Sequence, residues 1–161
     1  MIEKGQVLVF YKLEFSSKVT TFSVLILDYK QCVLLFFSLK IFLSSMEDTV
    51  VDAPRAPEFL GGILGKLVVV GEISLDEIAR AIKGGGIEPG SLLEIAIGLD
   101  ILGTVLDITR RENGESALSS IYRKSRVSLE DFMPSGENSV NFEVFLEKKK
   151  IQCLYPLSFR R

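Results

Sequence analysis

Between residues 92 and 108, apolar side chains stand at Leu92, Leu93, Ile95, Ile97, Leu99, Ile101, Leu102, Val105, Leu106 and Ile108. On a 3.6-residue period these positions do not form a single stripe but run round most of the cylinder. Such a helix needs neighbours on several sides, so the chain must build a multi-helix body around it. Glu88-Pro89 is suited to open this helix and Asn113-Gly114 to close it, giving an expected span of 89–113. Asp107 and Arg111 stand four apart as an ion pair, and Arg110 and Arg111 complement the negative end of the helix dipole.

The neighbours are written nearby. Residues 57–70 are apolar-rich, with Pro57 suited to a first turn and Gly71 as a stop. Ser74-Leu75-Asp76-Glu77 fits a capping box, with Ile73 and Ile78 in the staple positions. That helix is expected to run to Lys83, where Gly84-Gly85-Gly86 ends it. Residues 115–124 make a shorter amphipathic helix through Leu118, Ile121 and Tyr122. Ser128-Leu129-Glu130-Asp131 repeats the capping pattern, with Val127 and Phe132 as a second staple, before Met133-Pro134 breaks it. Short loops between helices imply antiparallel neighbours. The expected fold class is therefore all-α, built of stacked antiparallel helix pairs.

The first 43 residues differ in kind. They hold six of the eleven Phe, with one Gly and no Pro. Lys4, Lys12, Lys18, Lys30 and Lys40 outnumber Glu3, Glu14 and Asp28, so this segment is net basic while the whole chain is −2. Alternation at Val7, Val9, Tyr11, Leu13 and Phe15 is strand-like, although Leu8 and Phe10 spoil the polar face. A membrane span is not expected, because Asp28, Lys30 and Gln31 split the apolar run and each central charge costs about 2.5–3.5 kcal/mol on insertion scales. An early apolar core and a small-residue cleavage site, as in a secretory signal, are also missing.

Composition narrows the chemistry. With no His, the Ser-His-Asp and Cys-His mechanisms and every His-ligated metal site are excluded. Cys32 and Cys153 supply neither a zinc cage nor a disulfide framework, and read as reduced cytosolic thiols. The near balance of 19 basic and 21 acidic residues argues against a dedicated nucleic-acid binder. Gly61-Gly62-Ile63-Leu64-Gly65-Lys66 has the flavour of a phosphate loop. It lacks one spacer, carries Leu67 for the required hydroxyl, and lies inside a helical pattern where small residues permit close packing. Asp76-Glu77 and Glu130-Asp131 are explained by helix starts. Arg123-Lys124-Ser125-Arg126 complements a helix C-terminus, with an RNA phosphate contact as the sharper alternative.

The run from Met46 to Pro134 carries a resemblance. Asp52-Ala53-Pro54-Arg55-Ala56-Pro57-Glu58-Phe59-Leu60-Gly61 matches a D-x-P-x-A-P-x-x-L-G signature, followed by further matching blocks at Gly85–Ile95 and Leu129–Phe132. This stretch resembles the second half of an MA3 domain, in the form carried by the plant-type translation initiation factor 4G family. The resemblance implies a HEAT- or ARM-like stack of helix pairs, incomplete here, without catalysis or cofactor. It implies a cytoplasmic docking module for the DEAD-box RNA helicase initiation factor 4A and other initiation components, with mRNA reached indirectly. In helicase-binding relatives the contacts flank the Asp-x-Pro loop, and the matching positions here are Asp48, Asp52 and Pro54. A carboxylate on a proline-stiffened loop can meet a partner's Arg or Lys at little ordering cost. Asp52 also stands close to where an N-cap or Asx-turn residue is wanted, and Met46-Glu47-Asp48 can equally be a solvated helix end.

The chain thus divides into an apolar segment foreign to the family (1–43), a partial MA3 domain (44–134) and a solvated tail (135–161) with Glu147-Lys148-Lys149-Lys150 and Arg160-Arg161. The residues leave the structure of the first segment open. Helices normally covered by missing partners are expected to expose an apolar face unless residues 1–43 substitute for them. Two competing classes are a membrane-associated protein acting through 1–43 and an RNA-binding accessory module using the basic clusters.

Overall fold

The computed structural model describes residues 9–15, 18–24, 29–88, 90–136 and 139–155. The helical elements are α1 (Tyr29–Ser44), α2 (Met46–Asp52), α3 (Ala56–Val69), α4 (Leu75–Lys83), α5 (Ser91–Glu94), α6 (Ile97–Ser125) and α7 (Ser139–Lys148), with short 3-10 turns at Leu129–Phe132 and Gln152–Leu154. Ahead of them, β1 (Val9–Phe15) and β2 (Lys18–Val24) pair antiparallel, Val9 opposite Val24 and Phe15 opposite Lys18. The strand-like alternation in the sequence falls on β1. The packed body is all-α.

Its centre is α6. Ile101, Leu102, Val105 and Leu106 are at most 1% exposed, as the all-round apolar pattern requires. The most extensive packing is of α3 against α6. Two glycines one turn apart allow it. A Cβ at Gly61 would lie 2.7 Å from Thr104 Cβ and 2.8 Å from the Ile101 carbonyl oxygen, and one at Gly65 would lie 2.7 Å from Ile108 Cβ. Only a residue without Cβ lets the two backbones approach this closely.

The expected helix over 89–113 is instead interrupted. α5 ends at Glu94, Ala96 takes left-handed angles (φ 59°), and α6 starts at Ile97. A left-handed Ala costs roughly 1–2 kcal/mol. The bend lets Leu92 and Ile97, on either side of it, both enter the core, and leaves Ile95 exposed. The boundary expected at Asn113-Gly114 is present inside α6, where Gly114 leaves helical angles at φ 82° and ψ 167° and two helices meet. The stretch from residue 115, expected as a helix of its own, is thus a second helix that continues α6 beyond this break.

The α4 capping box is complete. Ser74 Oγ accepts from the Glu77 N–H at 3.3 Å, and the Glu77 carboxylate accepts from the Ser74 N–H at 2.9 Å. Staple residues Ile73 and Ile78 are buried. The second pattern, at Ser128, opens only a 3-10 turn and its side chain makes no cap bond, while Phe132 is fully buried.

Both flanks enter the core. On α1, Leu39 and Leu43 are buried and Phe36 and Phe42 pack against the core, while Phe37 and Ile41 face outward. This helix, packed on α4, covers apolar surface that residues 44–134 alone would expose. At the other end, residues 139–155 are not a solvated tail. α7 buries Leu146, and Ile151 behind it is fully buried. Lys149 reaches Thr104 Oγ1 at 2.9 Å and the Asp100 carboxylate at 3.2 Å, so one lysine of the expected charged run ties α7 to α6. Phe142, Phe145 and Tyr155 supply aromatic area that the charged neighbours masked in the sequence. Arg160 and Arg161 lie outside the described residues.

Candidate docking surface

The candidate residues Asp48 and Asp52 both fall on α2. They are four apart, so they share one helix face, and both are exposed. Neither side chain has an ion pair or hydrogen bond to another described residue. Asp48 sits in the first turn, where the helix dipole favours a carboxylate. Asp52 is the last residue of α2, at the end where the dipole disfavours negative charge by about 0.3–1 kcal/mol. Nor does it cap the following helix. The N-cap of α3 is Arg55, without a side-chain cap bond. The local capping role open for Asp52 in the sequence is thus not the one it plays.

Between the helices the chain turns tightly. The Ala56 N–H donates to the Ala53 carbonyl at 2.9 Å, which places exposed Pro54 second in a four-residue turn. Proline pre-sets the backbone there. Pro57 is buried in the first turn of α3. Arg55 is the cation nearest in sequence, and it is already engaged: its Nε lies 3.0 Å from Glu58, and its guanidinium stands 5.2 Å from the Phe59 ring centre. The hydrogen bond from Arg55 holds the Glu58 carboxyl below its ordinary range against the opposing effect of burial. Arg55 therefore leaves the two aspartates unneutralised. Val51, 81% exposed, sits between them in sequence.

Two residues at the start of α2 turn inward. Met46 is fully buried and Glu47 half-buried, so of the alternative solvated helix end at Met46-Glu47-Asp48 only Asp48 is exposed. The Glu47 carboxylate accepts from the Ile87 N–H at 3.1 Å and from Ser91 Oγ. Its partners lie forty or more residues away, and no local pattern announces such a bond.

The remaining motifs resolve structurally. Gly61–Lys66 is helical within α3, and Lys66 pairs with Glu112 of α6, which leaves no loop to cradle a phosphate. Asp76 pairs with Arg80 and Asp131 with Lys83. Arg123, Lys124 and Arg126 are exposed at the end of α6 and have no ion pair to a described residue. Among the described residues no group of acidic or cysteine side chains is placed to hold a metal ion. No helix among them is long and apolar enough to cross a membrane.

No protein-family model matches the chain, and no solved structure matches it. Curated plant proteins do. Eukaryotic translation initiation factor 4G of Arabidopsis thaliana is 48% identical over 96 residues, which cover 60% of this chain and 6% of that protein. The factor 4G of Cucumis melo is 46% identical over 92 residues, 57% of this chain and 5% of its own length. That of Oryza sativa subsp. japonica is 41% identical over 105 residues, 65% of this chain and 6% of the relative. Over these stretches the chain is similar to plant translation initiation factor 4G. It spans only about a twentieth of the length of these factor 4G relatives, so the likeness concerns one helical module.

Proposed function

We propose that this chain is a non-catalytic docking module of cap-dependent translation initiation, and that its α2–α3 corner binds the DEAD-box RNA helicase initiation factor 4A. The similarity to plant factor 4G supports the setting. The observation that carries the contact is the corner itself: Asp48 and Asp52 exposed on one face of α2, without partners among the described residues, beside the turn at Pro54. An unpaired carboxylate at the disfavoured end of a helix gains from an incoming Arg or Lys, and a charge-assisted bond of that kind is roughly twice as strong as a neutral one. Holding both acids on a helix beside a rigid turn reduces the ordering cost of association.

The test is binding of purified helicase to the full chain and to Asp48→Ala, Asp52→Ala and the double variant. Each single change weakens binding about tenfold, the loss expected for one charged hydrogen bond of about 1.4 kcal/mol. Wild-type affinity in the double variant removes this corner from the contact.

A second reading rests on Arg123, Lys124 and Arg126, exposed and without an ion pair among the described residues, which offer phosphate contacts to RNA. It requires RNA affinity that falls steeply with salt. Salt-insensitive or absent RNA binding eliminates it.

A further inference from the structure

α2 has seven residues, fewer than a helix needs to hold itself in water. The direction in which it presents Asp48 and Asp52 is therefore set by its tertiary ties. Met46 anchors one side by full burial. On the neighbouring position, Glu47 reaches across to the loop after α4, where one carboxylate oxygen takes both the Ile87 N–H and the Ser91 hydroxyl. The seat is tight: a Cβ on Gly86, whose φ is +94°, would lie 2.8 Å from that same Glu47 oxygen. No ion pair to a described residue competes for the carboxylate. Ile87 itself stays 67% exposed, so the bond does not serve to bury its side chain.

We infer that Glu47 is a positioning residue for the docking corner. It fixes the rotation of α2 by clamping it to the Gly86–Glu88 loop, so that its sequence neighbour Asp48 and, one turn on, Asp52 point together into solvent. This inference rests on the docking reading above. It assigns Glu47 no contact with the partner, because its carboxylate is occupied within the chain.

Glu47→Gln keeps an oxygen that accepts from both donors but removes the charge, whereas Glu47→Ala removes the acceptor. Helicase affinity is expected to fall about 5–10-fold in Glu47→Ala, the scale of a modest coupling between sites, and to return to within about threefold in Glu47→Gln. Ser91→Ala, which removes one donor, weakens binding less and adds little on top of Glu47→Ala. Amide exchange at Ile87 in the free protein reports the clamp directly and is faster in Glu47→Ala than in wild type. Wild-type affinity in Glu47→Ala overturns the inference while the docking reading stands. Equal losses in the Ala and Gln variants also overturn it, since the charge and not the clamp then matters. Absence of binding by the wild-type chain fails the docking reading, and Glu47's part in it with it.

Discussion

Gly61 and Gly62 are neighbours on α3, yet substituting each by Ala is expected to move stability in opposite directions. A methyl on Gly61 would meet Thr104 Cβ at 2.7 Å and the Ile101 carbonyl at 2.8 Å. Carbon atoms pack best near 3.5–4.0 Å, so the intrusion is about 1 Å, and one of the obstructing atoms is α6 backbone that cannot rotate away. Overpacking of this kind costs about 1–3 kcal/mol. Removing a helix-interior glycine returns about 0.5–1 kcal/mol, leaving a net loss of about 0.5–2 kcal/mol. At Gly62 a methyl meets nothing within 4 Å, so only the gain remains. For a chain of this length each kcal/mol shifts the midpoint by about 2–4 °C. Thermal unfolding of the full chain followed by circular dichroism should therefore show Gly61→Ala about 1–8 °C below wild type and Gly62→Ala about 1–4 °C above it. A Gly61→Ala variant as stable as Gly62→Ala refutes the close α3–α6 crossing.

Ile151, fully buried behind α7, is expected to cost about 2–5 kcal/mol as Ile151→Ala in urea unfolding, and a loss under 0.5 kcal/mol would return the C-terminal region to solvent. Burial and the Tyr155 hydroxyl at 2.7 Å push the Tyr122 phenol well above its ordinary value, although the Leu129 N–H it accepts works the other way. Because the folded state holds that proton more tightly, its contribution is complete below about pH 10 and is lost as pH rises further. Tyr122→Phe should lose part of this alkaline slope, and an identical slope would contradict the assignment. Burial raises the Asp107 carboxyl, but the hydrogen bonds and charges of Arg110 and Arg111 outweigh it and leave it below the ordinary range. That contribution is present above the ordinary aspartate value of about 3.9 and disappears as pH falls through the lowered one. Asp107→Asn should cost about 1–3 kcal/mol at neutral pH and flatten the acid limb, and an unchanged acid limb in denaturant titrations from pH 2 to 7 would count against it.

The elements that sequence reading located are those whose causes are local. The α4 cap joins residues three apart, and its Ser74–Glu77 exchange is present as read. α3 lies within a residue of its expected ends, because Pro57 and Gly71 act on their own backbone. The all-round apolar pattern placed α6 at the centre. The break at Ala96 follows no local rule, since Ala is the best helix former; it exists because Leu92 and Ile97 must both turn inward. α7 is masked in the sequence for a related reason: the lysines at and just after its end look solvated until Lys149 finds Asp100 and Thr104.

At the candidate site the division is the same. The sequence alone determined that Asp48 and Asp52 are four apart and that a proline follows, which is covalent information. The tertiary structure decided that both carboxylates are exposed, that Asp52 caps nothing, that Arg55 is held by Glu58, and that Glu47 is drawn inward to Ile87 and Ser91. Spacing along one helix is a property of the chain, whereas a carboxylate's partner is whatever the packing of distant segments brings within 3 Å.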